Sequence, residues 1–116
     1  MNLRIASVAT LLVLAMGCSS SPSAPTTTGT PVSIVSGSSD LTTTAYNPNP
    51  VSVAVGGTVT WMNNDNTAHT STADNGSWNS GSISPGGSFS MTFPAAGTFT
   101  YHCTIHPGMI GTVNVH

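Results

Sequence analysis

Charge is almost missing from this chain of 116 residues. Charged side chains make up 3% of it, against roughly 25% in an ordinary soluble domain. There is no Lys and no Glu; the single basic residue is Arg4, and the acids are Asp40, Asp65 and Asp74. Nucleic-acid binding needs Lys and Arg to displace counterions from phosphates, so it is excluded as a function class. A polybasic membrane patch is excluded for the same reason. Three scattered Asp give a paired-carboxylate hydrolase nothing to build on. Cysteine is scarce too, at two residues, Cys18 and Cys103. The apolar run Ile5–Ala15 falls short of the about 20 residues that a bilayer crossing needs. What remains is rich in Ser, Thr, Asn and Gly, a surface that is polar without being ionic.

The first residues read as an address. Arg4 supplies a positive charge, a short apolar run follows, and Ala15-Met16-Gly17-Cys18 ends it with small residues and a cysteine. That is the layout of a secretory signal. The cysteine directly after Gly17 makes it resemble a bacterial lipoprotein signal, which implies that Cys18 is lipidated and begins the mature chain. An ordinary secretory signal that happens to contain Cys18 is the plainer alternative. The expected organisation is a signal peptide at 1–17, a Ser/Thr/Pro-rich linker at 18–31 and one domain at 32–116. The linker has no large apolar residue and cannot bury a core. With Cys18 used by the lipid, Cys103 has no disulfide partner. It is then an inert buried thiol, a reactive thiol or a metal ligand.

From Val32 onward short alternating runs are broken by turn residues. Val51–Val55 and Thr58–Trp61 alternate on either side of Gly56-Gly57, the pattern of a hairpin. Ser88–Phe93 places Phe89, Met91 and Phe93 on one face. Thr98–Cys103 places Phe99, Tyr101 and Cys103 on one face, with Thr100 and His102 on the other. A further strand at Gly111–Val115 closes the chain, and weaker ones are expected at Val32–Ser36, Thr42–Tyr46, His69–Thr72 and Ser80–Ile83. No helical period occurs after the signal. The expected fold is all-β, an antiparallel β-sandwich of seven to eight strands, with Trp61, Phe89, Phe93, Phe99 and Tyr101 in its core.

The segment Cys103-Thr104-Ile105-His106-Pro107-Gly108-Met109 offers a thiolate, an imidazole and a thioether within seven residues. Upstream, Trp61 to Ala68 ends a strand and delivers a second imidazole at His69. Two imidazoles and a thiolate with a distant Met sulfur form the trigonal blue-copper set. Sulfur suits Cu(I) and imidazole suits Cu(II), so a rigid mixed site serves both states. A full ligand set leaves no open position for substrate, which argues against an enzyme. Each residue also has a plain structural reading: Cys103 as a buried thiol, His106 as a turn residue, Met109 as core filler, His69 as a surface histidine. Zinc on Cys103, His69 and His106 would leave Met109 without a role. His102 points away from Cys103 and is read as a non-ligand.

These pieces resemble the blue copper proteins, or cupredoxins, most closely the plastocyanin and amicyanin branch. The resemblance runs from about Tyr46 to Val115. It rests on Thr58–Trp61 leading to His69, the Ser84-Pro85-Gly86-Gly87-Ser88-Phe89 turn, and Gly97–Cys103 leading into the ligand loop. It implies a Greek-key sandwich and one type 1 copper held by His69, Cys103, His106 and Met109. The spacing from Cys103 to His106 to Met109 is similar to the short amicyanin loop. Ala68 stands where the family often has Pro. Thr70 stands where these relatives have an Asn that ties the two ligand loops together; the sequence leaves open whether the Thr hydroxyl takes over that tie. The expected function is electron transfer outside the cytoplasm by a monomer. Redox partners would dock on the uncharged loop around His106, and the membrane is touched only through the lipid anchor. Copper storage, delivery or sensing is the alternative, and a metal-free structural or adhesive sandwich a third.

Overall fold

The computed structural model describes residues 29–116. The expected signal peptide at 1–17, the expected lipidation at Cys18 and the expected linker up to residue 28 lie outside the described residues. Eight strands follow: β1 (Thr30–Ile34), β2 (Tyr46–Asn47), β3 (Val51–Val53), β4 (Thr58–Asn63), β5 (Thr72–Ala73), β6 (Ser88–Thr92), β7 (Gly97–His102) and β8 (Ile110–Val115). They form two four-stranded sheets, ordered β2-β1-β4-β6 and β3-β8-β7-β5. The expected sandwich is present. Its first strand starts at Thr30, two residues before the expected domain edge. Pro31 is tolerated there because the two-residue β2 pairs only with Ser33 and Ile34, so β1 is an edge at Pro31.

Two pairings are parallel, β1 with β4 and β3 with β8, so the sheets are mixed and not purely antiparallel. The expected hairpin at Gly56-Gly57 does not form. β3 lies in one sheet and β4 in the other, and the turn between them is a corner from layer to layer. Gly56 sits at φ 84°, open to glycine at little cost. Its N–H donates to the Phe93 carbonyl at 2.7 Å, and Phe93 N–H donates to the Gly57 carbonyl at 2.9 Å. A hairpin turn and an interlayer corner need the same kind of glycine. The local pattern therefore cannot tell them apart.

Alternation sends Val32, Ile34, Val59 and Trp61 inward from one sheet and Val51, Val53, Tyr101, Val113 and Val115 inward from the other. Trp61 and Tyr101 are fully buried and cross edge to face at 5.3 Å and 80°, an arrangement aromatic quadrupoles favour. Trp78 and Phe93 complete the buried aromatic cluster, while Phe89 and Phe99 pack against its rim. On the outer face the Thr58 and Thr92 hydroxyls meet at 2.8 Å, as do those of Thr60 and Ser90. Cross-strand hydroxyl pairs thus do work that ion pairs do in more charged proteins.

Tyr101 stands opposite Gly111 in the β7–β8 ladder. A Cβ added at Gly111 would run into the Tyr101 ring. Gly111→Ala should therefore destabilise the metal-free protein by about 1–3 kcal/mol through overpacking. Thermal unfolding reads this as a lower midpoint; an unchanged midpoint would show that the ring has room to move.

Candidate metal centre

One end of the sandwich gathers three donor side chains, and two stretches of chain deliver them. After β4 the chain turns through 64–68 and returns to make a bridge at His69 with Ile83. The turn is organised by Asn63, fully buried at the end of β4. Its amide donates to the carbonyls of Thr67 at 2.8 Å and Ile83 at 2.9 Å, and its carbonyl oxygen accepts from Asp65 N–H at 2.9 Å. Cys103 ends the alternation of β7. The loop after it is closed by Cys103 N–H to the Met109 carbonyl at 3.1 Å and Met109 N–H to the His106 carbonyl at 3.0 Å.

The donor atoms face one another. His69 Nδ1 is 3.8 Å from Cys103 Sγ, His106 Nδ1 is 4.0 Å from it, and the two Nδ1 atoms are 3.2 Å apart. Among the described residues this is the one group of His, Cys or acidic side chains gathered closely enough to hold an ion. His69 and Cys103 are fully buried and His106 is half-buried. These separations suit a first-row metal ion, whose typical bonds are about 2.1 Å to nitrogen and about 2.3 Å to sulfur, and His69, Cys103 and His106 would hold it. The donor chemistry asks for one. His69 Nε2 lies 2.7 Å from the Asp65 carboxylate and donates to it, so Nδ1 keeps its lone pair and aims it at the other imidazole. That lone pair, 3.8 Å from the Cys103 sulfur, is a donor turned into the space a metal ion would take. Met109, fully buried, is held by its backbone at the foot of the same loop.

The surroundings are tied to these side chains. Cys103 Sγ accepts from the backbone N–H of Thr70 at 3.3 Å and of His106 at 3.4 Å. Such donors stabilise negative charge on the sulfur. The Thr70 hydroxyl accepts from Thr104 N–H at 2.9 Å, so threonine does supply the loop-to-loop tie that the sequence left open. Tyr46, whose burial raises its phenol pKa and keeps it a neutral donor, gives its O–H to the Thr70 carbonyl at 2.6 Å. The Asp65 carboxyl is held down to about 2 by the hydrogen bonds from His69 first and from Gly37 N–H next.

The structure brings His69, Cys103 and His106 to one point and buries Met109 beside them. It sets His102 apart, on the other face of β7, with Nδ1 2.5 Å from Asp74. The surface-histidine reading of His69 does not hold, since the side chain has no exposure. Sequence reasoning missed Asn63, Asp65 and Ser38. A signal for the first two existed: the run Asn63-Asn64-Asp65-Asn66 is rich in residues that bond their own backbone in turns. Ser38 is 31 positions from His69, and no local pattern marks it.

Thr70→Val removes the acceptor for Thr104 N–H while keeping the side chain's shape. It should cost the metal-free protein about 1 kcal/mol, with Thr70→Ser restoring most of it. Denaturant unfolding of the three proteins checks this, and equal midpoints for Thr70→Val and the unaltered chain would contradict it.

Residues 33–116 match the family model described as copper binding proteins, plastocyanin/azurin family. A plastocyanin from Scenedesmus fuscus is 35% identical over 83 residues, covering 60% of this chain and 85% of the relative. Amicyanin from Paracoccus denitrificans is 33% identical over 81 residues, covering 66% of this chain and 62% of the relative. Among solved structures, a purple cupredoxin from Nitrosopumilus maritimus superposes with a TM-score of 0.69 at 32% identity, covering 75% of this chain and 99% of that one. With a sandwich of that fold carrying a thiolate and two imidazoles at one corner, this chain belongs to the plastocyanin/azurin family of copper-binding proteins.

Proposed function

We propose that this chain is a type 1 copper protein that passes single electrons between partners outside the cytoplasm, with one copper held by His69, Cys103, His106 and Met109. The observation that carries the reading is the triangle of donor atoms at 3.2, 3.8 and 4.0 Å. Copper, when bound, supplies a one-electron couple. The chain supplies the rest. His69 and Cys103 are pinned by hydrogen bonds from residues in distant segments, so little has to move when the charge changes. Sheltered side chains also keep water from the sulfur.

Of the four side chains, only His106 reaches solvent. Its edge is the shortest way out. Around it Ile105 is 47% exposed, and Pro107 and Gly108 are exposed as well. This small apolar face suits brief docking by a redox protein. The saturated donor set supports a carrier and not an enzyme. The segment ending at Gly17-Cys18 supports export and a lipid anchor. A monomer fits a chain whose working face must open to successive partners.

Addition of Cu(II) should produce the intense visible band of a copper–thiolate bond, and Cys103→Ser should abolish it. No band in the unaltered protein would sink the copper reading. Fast electron self-exchange supports the carrier; slow exchange with ready copper transfer to an acceptor would favour storage or delivery. Because the described domain has no Lys or Arg, the rate of electron exchange with a partner should vary little between low and high salt. A steep salt dependence, measured by stopped flow, would count against the uncharged docking face.

A further inference from the structure

Asp65 is the unusual group near the centre. It lies at 7% exposure, in a chain that buries few polar side chains. Its Oδ1 accepts from Gly37 N–H at 3.1 Å and Asn66 N–H at 2.9 Å. Its Oδ2 accepts from His69 Nε2–H at 2.7 Å and from the Ser38 hydroxyl at 3.3 Å. Ser38, itself fully buried, also stands 3.0 Å from His69 Nε2. Four donors from two separate stretches, residues 37–38 and 66–69, converge on one carboxylate. A turn closed by Asn63 does not need them all.

We propose that Asp65 is a positioning residue that holds His69 in the Nε2–H form and, through its buried negative charge, biases the centre toward the oxidised state. The inference rests on the copper reading of the site. One half of it is geometric. A carboxylate on one ring nitrogen fixes which nitrogen keeps a lone pair and how the ring is turned, as carboxylate–histidine pairs do at other metals. The other half is electrostatic. No Lys or Arg follows Arg4, so no permanently cationic side chain of the domain can neutralise Asp65, and a metal-bound His69 is neutral. Its only strong counter-charge is the ion itself. Cu(II) with one thiolate and one buried carboxylate sums to zero; Cu(I) with the same two groups sums to minus one. A buried net charge is costly in a medium of low polarisability. The reduced state bears that cost, and the oxidised state does not.

Asp65→Asn removes the charge and keeps one of the two acceptor oxygens. It should weaken Cu(II) binding relative to Cu(I) by about tenfold, the lower end of what outer-shell changes do at metal sites. For a one-electron couple that is a rise in reduction potential of about 59 mV. Asp65→Ala removes both effects. A second readout uses the metal-free protein. Nitrogen NMR of the unaltered chain should show His69 in the Nε2–H form by about tenfold or more, as a hydrogen bond to a charged partner requires. The outcomes separate cleanly. A copper–thiolate band in the unaltered protein with a potential unmoved by Asp65→Asn overturns the inference and leaves the copper reading standing. So does a His69 ring found in the Nδ1–H form without metal. No band at all overturns the copper reading itself. Should Asp65→Asn fail to fold, the tautomer of the unaltered chain still decides the geometric half.

Discussion

The joint between two distant segments at Thr70 and Cys103 is the constraint on which everything else in this molecule depends. His69 and Cys103 are 34 positions apart, on chain segments that leave different sheets. Thr70 fastens them twice, through its N–H to the Cys103 sulfur and through its hydroxyl to Thr104 N–H. Tyr46 holds the same residue from a third direction. Loss of this joint would free the two halves of the donor set to drift, and a site that drifts must reorganise with each electron. The sandwich beneath, with Trp61 against Tyr101 at its centre, is the rigid block that makes the joint stiff.

The economy of charge runs through fold and function alike. Ser and Thr hydroxyls pair across the outer face, so the surface stays wet without ions. The exposed loop around His106 is uncharged for the same compositional reason. Inside, the scarcity makes each remaining charge count. Asp65 sits behind His69 with no Lys or Arg to oppose it, whereas Asp74, about half exposed, meets His102 at the surface, where water screens the pair.

Much of the fold was legible because it is written in alternation. Phe89, Met91 and Phe93, and likewise Phe99, Tyr101 and Cys103, share faces as a period of two requires. A sandwich of seven to eight strands follows from many short runs divided by turns, although the run Ser80–Ile83 forms no strand and gives only an isolated bridge at Ile83. Pairing was not legible. The Gly56-Gly57 corner joins two layers where local pattern indicated a hairpin, and β1 with β4 and β3 with β8 run parallel. Partner choice depends on what lies across the core, and the neighbours in sequence carry no record of it.

The site divides along the same line. His69, Cys103, His106 and Met109 could be named from the chain because they are rare residue types at close or family-like spacing, and metal chemistry constrains both. The direction of His102 followed from strand geometry. Only the folded molecule decided what surrounds them: that Thr70 spans the loops, that Asn63 shapes the turn before His69, and that Ser38 and Gly37 meet Asp65 behind the ring. Ligand identity is a local property of side-chain chemistry. The support of those ligands comes from hydrogen bonds between segments tens of residues apart, and such bonds exist only once the two sheets have closed on each other.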